Sequence, residues 1–393
     1  MKTVHGAWAP GFAWVREAFA KNLTEAEVGA ACCVYLDGEP VVDVWGGLAD
    51  REAGRPWQRD TAALVFSSTK GVTAALVHLL VERGQLALDA PVARYWPEFA
   101  ANGKQQITLR HVLTHQAGLA AVDGELTLDE VLAWHPVCAA IAAQAPSWEP
   151  GTAHGYHART FGWILGEVVR RVTGMTLGEL LAKEAALPLG LDFWIGLPEA
   201  EESRTAKLYP APEPADPAQR ALRAKFMGPN TLLARVLEGP SGLFSYGPMW
   251  NERRIHAAEM PSSNGIGTAR SLARFYAALI GRVDGIRLLA PETVAAASAS
   301  QVNGLDRVIH MPMHLALGFM LEPTLCPDCP DTAFGHPGAG GSLGFADPSA
   351  GLAFGYVMNQ MQLGITGDPR AERLVSAAYA SLSAAAARKG VNG

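Results

Sequence analysis

The sequence predicts an α/β chain of the α+β type. One antiparallel sheet flanked by helices is assembled from both termini, with a mainly helical segment inserted between. Three observations carry this expectation: a hairpin signature near the N-terminus, helical periodicity through the middle, and strand-like runs followed by an alanine-rich helix near the C-terminus.

Taken in order, Phe12, Val15 and Phe19 stand at helical spacing and predict an amphipathic helix able to cover a sheet. Val28 to Leu36 and Pro40 to Trp45 are rich in Val, Ala, Cys and aromatics, and Asp37-Gly38 between them is a hairpin turn. From Ser67 the period changes: Val72, Ala75, Leu76, Leu79 and Leu80 follow one helix face, and Gly84 stands where a helix stops. Helical patterns continue at Leu109 to Leu113, Leu126 to Ala133, Phe161 to Val172 and Leu177 to Ala186, until the proline-rich Tyr209 to Pro217 breaks them as a loop. A helix is expected from Thr268 to Ile280, strands at Leu315 to Leu321, Gly341 to Ala346 and Leu352 to Met358, and a last helix over about Ala371 to Ala387. This divides the chain into a sheet domain, 1–85 with 262–393, and a mainly helical domain, 86–261, with a site in the cleft between them.

With 393 residues, 49% hydrophobic and 18% charged, core size does not limit the fold. A net charge of -6 supplies no basic patch for nucleic acid or anionic lipid, and no apolar run reaches the length of a membrane span. Pro10, Arg16 and Glu17 interrupt any signal-like stretch, so a cytoplasmic protein is expected. Five cysteines are an odd number and argue against a disulfide framework, and Cys326-Pro-Asp-Cys329 reads as a loop with two reduced thiols rather than half a zinc site.

Chemistry concentrates at Ser67-Ser68-Thr69-Lys70, where a serine and a lysine three apart share one helix face. The start of a helix adds positive potential and free N–H groups, which suit a developing alkoxide and oxyanion. A second element follows: Glu149-Pro-Gly151, then Gly155-Tyr156-His157-Ala158, then a helix with Trp163, Leu165 and Gly166.

With these motifs the chain resembles class C β-lactamases, DD-peptidases and, more closely, the family VIII carboxylesterases of that superfamily. Ile107 to Leu119, containing His115 and Gly118, also looks like a segment common there. The resemblance implies a β-lactamase-like fold, with Ser67 as nucleophile, Lys70 as its activating partner and Tyr156 as general base or proton shuttle. His336-Pro337-Gly338 is similar to the third motif, with His336 in the lysine position, and the implied oxyanion donors are the N–H groups of Ser67 and Ala339. Two departures stand out: Ala158 replaces an asparagine, and His336 replaces a cation that would attract a substrate carboxylate, being largely neutral near pH 7. Both point toward short neutral esters, with weak cephalosporin hydrolysis as a side activity. The implied partner is a small-molecule ester, with no metal and no organic cofactor. A β-lactamase or DD-peptidase and a non-catalytic penicillin-recognising sensor are the alternatives.

An unperturbed phenol, with pKa about 10, is a poor base at neutral pH. A Lys70 ammonium beside Tyr156 is expected to lower that value by favouring phenolate. Phe226, Met227, Phe244, Tyr246 and Trp250 are expected near the acyl or alcohol pocket, although core packing accounts for the same residues.

Rival motifs fare worse. Gly340-Gly341-Ser342-Leu343-Gly344 matches a nucleophile elbow, but the last histidine of the chain, His336, precedes it, so no partner histidine follows Ser342. Ser262-Ser263-Asn264 reads as the loop before a helix, with a place on the cleft rim left open. His111 and His115 lack the glutamate of a metal-binding helix motif and read as structural, while His154 and His157 flank Tyr156 and could tune it.

Overall fold

The computed structural model describes residues 3–228, 231–364 and 366–391. Strands β1 (Val4–Trp8), β2 (Gly29–Leu36), β3 (Glu39–Asp50), β4 (Phe334–Pro337), β5 (Leu343–Asp347) and β6 (Leu352–Met358) form one antiparallel sheet in the order β1-β3-β2-β6-β5-β4. A short strand, Arg55–Pro56, adds to β3. The two ends of the chain meet in mid-sheet, where β2 pairs with β6 from Leu36 opposite Leu352 to Ala30 opposite Met358. Asp37 and Gly38, at φ 51° and 86°, make the expected tight turn.

Period-two alternation sorts the side chains between two faces. Cys32, Val34, Phe345 and Phe354 join Phe12, Val15 and Phe19 from helix α1 (Ala13–Glu25) and Leu374, Val375 and Ala378 from the last helix, Pro369–Val391. Cys33, Tyr35, Ala346, Ala353 and Val357 share the opposite core with Leu272, Ala273 and Tyr276 of the helix Ala269–Ile280. On that face lies helix α2 (Thr69–Glu82), followed by α3 (Thr160–Thr173), and the helices Ala269–Ile280 and Pro369–Val391 are α4 and α5. The α4 backbone lies directly on β6 at Gly355, where a Cβ would meet Ala269 O at 2.3 Å and Ala273 N at 2.7 Å.

Three expectations change. Leu315 to Leu321 is not a strand: Pro312–Leu315 pairs with Val302–Leu305 as a separate ribbon, because Gly318, at φ 87°, turns the chain against Ala74. The strand expected from Gly341 begins at Leu343, since Gly340 and Gly341, at φ 86° and 127°, form the turn before it. The helix expected over Leu126 to Ala133 spans Leu128–Leu132, started by a capping box between Thr127 and Glu130. β1 and the helix His135–Ala143 have no counterpart in the sequence reading. Among the described residues, no helix is long and apolar enough to cross a membrane.

Gly355→Ala is expected to cost about 1–3 kcal/mol by overpacking the sheet against α4. Thermal denaturation checks this, and an unchanged melting temperature would contradict the close approach.

Candidate active site

Ser67 lies in the single 3-10 turn Phe66–Ser68 that leads into α2. Phe66 before it sits at φ 43°, a left-handed conformation uncommon for a bulky residue. The turn is held from every side. The Phe66 ring packs edge-on against Trp250 at 4.9 Å, Val65 N–H donates to Gly265 O (2.9 Å), and Ser342 Oγ donates to Val65 O (2.8 Å). Backbone strain of about 1–3 kcal/mol persists only where the surroundings over-determine it, as here.

Tyr156 lies in the loop before α3. Asp306 Oδ1 accepts from Tyr156 N–H at 3.2 Å, His115 O from Gly155 N–H at 2.9 Å, and His115 Nδ1 from His157 N–H at 3.0 Å. The His115 ring packs on Tyr156 at 5.0 Å between centroids. Burial holds His115 well below its usual value and His157 at about 4, so both are neutral scaffolding that aims the tyrosine.

These elements bring three side chains together. Ser67 Oγ lies 3.2 Å from Lys70 Nζ and 2.9 Å from Tyr156 OH. Lys70 is wholly buried, and its Nζ donates to Ala158 O (2.7 Å) and Ser262 O (2.9 Å). Burial is the largest influence on both titrating groups. It lowers the Lys70 ammonium well below the ordinary lysine value, helped by the Arg159 charge, and it raises Tyr156. The phenol is thus held above its ordinary value, not below it as the sequence reading expected, because desolvation outweighs any stabilisation of phenolate.

The hydrogen bonds accommodate both forms of the lysine, since an ammonium has three donors for Ala158 O, Ser262 O and Ser67 Oγ. An uncharged amine has two N–H donors and one lone pair. The two carbonyls take the donors, leaving the lone pair to face Ser67 Oγ. Tyr156 O–H donates to Ser67 Oγ, and Lys70 Nζ lies within hydrogen-bond distance of the same oxygen.

The N–H groups of Ser67 and Ala339 donate to no protein acceptor among the described residues, and both residues line a cavity of about 270 Å³ with Tyr156. Its other walls include Pro210, Ala211, Met227, Leu233, Leu237, Tyr246, Met361 and Leu363. Met227 and Tyr246 are therefore wall residues of this cavity. Phe244 and Trp250 are not: both are fully buried behind Phe66, where their rings pack tilted against each other at 5.6 Å. Phe226 ends the helix Pro217–Phe226 at 46% exposure, away from the wall.

His336 is also absent from this wall. Its Nδ1 meets Pro337 O at 2.6 Å, its ring lies 6.2 Å from that of Tyr156, and burial pulls its pKa down to about 3, so it is neutral. Gly338 acts by its lack of a side chain, since a Cβ there would meet Val65 O at 2.1 Å and Ser342 Oγ at 2.2 Å. It lets the turn carrying Ala339 close onto the turn carrying Ser67. Ser342, buried and bonded to Val65 O and Ser68 Oγ (3.1 Å), ties the same two turns.

Sequence reasoning missed Arg159 and the carbonyl of Ser262. Arg159 is buried with its guanidinium 4.5 Å over the Phe244 ring, and its Nε and Nη2 have no partner among the described residues. A charge beside the Tyr156 motif was the available signal. A backbone carbonyl leaves none. Among the described residues, no group of three or more His, Cys, Asp or Glu could hold a metal ion.

Fold and site together define a serine–lysine–tyrosine protein on an antiparallel sheet closed by both termini. The family described as Beta-lactamase matches residues 15–378, and the chain belongs to that family. The chain is similar to the Esterase/beta-lactamase LipL of Mycobacterium tuberculosis, 39% identical over 377 residues that cover 92% of this chain and 84% of LipL. Among solved structures it is similar to a family VIII carboxylesterase, at 40% identity and TM-score 0.87 over 96% of this chain and 100% of that one. A penicillin-binding protein homolog from Caulobacter crescentus is likewise 40% identical, with TM-score 0.84 and the same coverage.

The rate at which a fluorophosphonate labels Ser67 should rise with pH through the depressed pKa of Lys70, with its midpoint below the ordinary lysine value. Arg159→Met should move that midpoint upward, because a neighbouring positive charge is gone. A midpoint at the ordinary lysine value, or one insensitive to Arg159, would contradict the neutral amine.

Proposed function

We propose that the chain is a serine carboxylesterase that hydrolyses short-chain neutral esters through an acyl-enzyme on Ser67. The observation that carries this reading is Ser67 Oγ held between Lys70 Nζ and Tyr156 OH on the wall of an apolar cavity. In this mechanism the Lys70 amine takes the Ser67 proton as Oγ attacks the ester carbonyl. The N–H groups of Ser67 and Ala339 hold the oxyanion, and Tyr156 protonates the departing alkoxide. The resulting ammonium and phenolate return to amine and phenol by proton transfer. Water then attacks the acyl-enzyme with the same groups acting in reverse, and Ser67 regains its proton.

Charge supports a neutral substrate over a β-lactam, whose carboxylate needs a cation. None of the described wall residues is cationic, Glu213 among them is an acid, and His336 stands neutral off the wall. The names of the similar proteins, an esterase/β-lactamase and a family VIII carboxylesterase, support the same chemistry, and cephalosporin opening is proposed as a minor activity. The reading retains a sheet domain, 1–85 with 262–393, and a helical domain, 86–261, with catalysis in the cleft between them. It places the enzyme in the cytoplasm, supported by five buried free thiols.

Ser67→Ala should abolish p-nitrophenyl butyrate turnover, a loss of at least about a thousandfold, whereas Ser342→Ala should retain activity with lowered stability. Activity surviving the first substitution and lost in the second would overturn the assignment. On the unmodified enzyme, turnover of the butyrate ester should exceed that of nitrocefin; the reverse ratio favours a β-lactamase.

A further inference from the structure

Arg370 stands at the start of α5, far in sequence from every motif of the site, yet its side chain is only 4% exposed and all of its N–H donors are taken. Nε and Nη2 grip the two oxygens of Asp368 at 3.0 and 2.7 Å. Nη1 donates to Glu27 Oε2 (2.9 Å) and to Gln360 O (2.8 Å). The remaining donor on Nη2 reaches Gly340 O at 2.6 Å. Such a fork has one orientation, since rotating it breaks several charge-assisted bonds together.

The consequence runs through planar peptides. In a trans peptide the C=O and N–H point in opposite directions. Arg370 and Gln362 N–H (3.1 Å) hold the oxygen of the Gly340–Gly341 peptide, so its N–H, on Gly341, is directed the other way, where it donates to Gly338 O at 3.0 Å. Gly338 O belongs to the Gly338–Ala339 peptide. With that oxygen fixed, the Ala339 N–H must point away from Gly341, free of any protein acceptor, on a residue that lines the cavity with Ser67. Gly341 permits the arrangement: at φ 127°, a Cβ there would meet Asp368 Oδ2 at 2.4 Å and Arg370 Nη2 at 2.5 Å.

The geometry points to Arg370 as a positioning residue for the oxyanion donor Ala339, acting through the peptides of Gly340 and Gly338. This rests on the esterase reading given above. Arg370 touches no substrate; it fixes the direction of a backbone dipole. Removing one oxyanion donor costs on the order of a hundredfold to a thousandfold in kcat, so loosening one should cost less.

The test compares wild-type enzyme with Arg370→Lys and Arg370→Met on p-nitrophenyl butyrate, alongside the inhibition constant of an alkylboronic acid, whose tetrahedral adduct on serine carries the oxyanion charge. Arg370→Met is expected to lower kcat by about tenfold to a hundredfold with KM within about twofold, and to weaken boronate inhibition by a similar factor. Arg370→Lys keeps a cation for Glu27 but lacks the planar fork, and should recover part of the loss. If the methionine variant fails to fold, the lysine variant decides alone: reduced kcat at unchanged KM supports the inference, and wild-type kcat overturns it. Equal losses in KM and boronate affinity with kcat unchanged would also overturn it, as would a fall in melting temperature with unaltered kinetics. Ser67→Ala separates the two levels. If that variant still turns over the ester, the esterase reading itself fails; if it is dead while both Arg370 variants are normal, only the role of Arg370 is lost.

Discussion

Lys70 is a long ionisable side chain sealed from solvent, with no carboxylate beside it among the described residues, and the arrangement of the site follows from that burial. A charged ammonium in such a place carries a desolvation cost, which lowers its pKa. The amine form is favoured, and the carbonyls of Ala158 and Ser262 then dictate where its lone pair lies. One carbonyl comes from the loop of Tyr156, the other from the segment before α4, so the lysine fixes the loop, that segment and α2 about a single nitrogen. Arg159 adds a second buried positive charge that works in the same direction. Tyr156 is subject to the same constraint with the opposite sign: burial favours the protonated phenol, which donates to Ser67.

The sheet supplies what the three side chains lack, a backbone N–H on the cavity wall, at Ala339, held at a fixed direction. β4 and β5 are joined by a turn whose glycines allow contact with the Ser67 turn on one side and with the start of α5 on the other. Because β5 pairs with β6, and β6 with β2, the two ends of the chain must be assembled before that turn has a defined place. The place of Ala339 therefore depends on the longest-range strand pairing among the described residues.

Much of this was legible in the sequence, and the gaps have physical reasons. Asp37-Gly38 marked the hairpin because few residues accept two successive positive φ values, and α2 was visible through its apolar period. Ser67, Lys70 and Tyr156 were singled out by motif, and Ser67 Oγ lies within hydrogen-bond distance of both partners, but the direction of the Tyr156 shift was misjudged, because a motif carries no information on burial. Phe244 and Trp250 were expected at the pocket for their aromaticity, whereas they buttress Phe66 from behind; composition does not separate a wall from its support. Gly318 ended a strand that hydrophobicity alone would have continued. The carbonyls of Ala158, Ser262 and Gly340 were invisible at the outset, since every residue has one and only tertiary structure selects which are used.

The central claim is that Ser67 carries the acyl group during turnover. It is tested most directly by acid-quenching the enzyme while it hydrolyses a p-nitrophenyl ester and mapping the acylated peptide by mass spectrometry. The account predicts one acyl adduct, on Ser67, that decays once substrate is exhausted. An adduct on Ser342, or full turnover with no adduct at any serine, would contradict it.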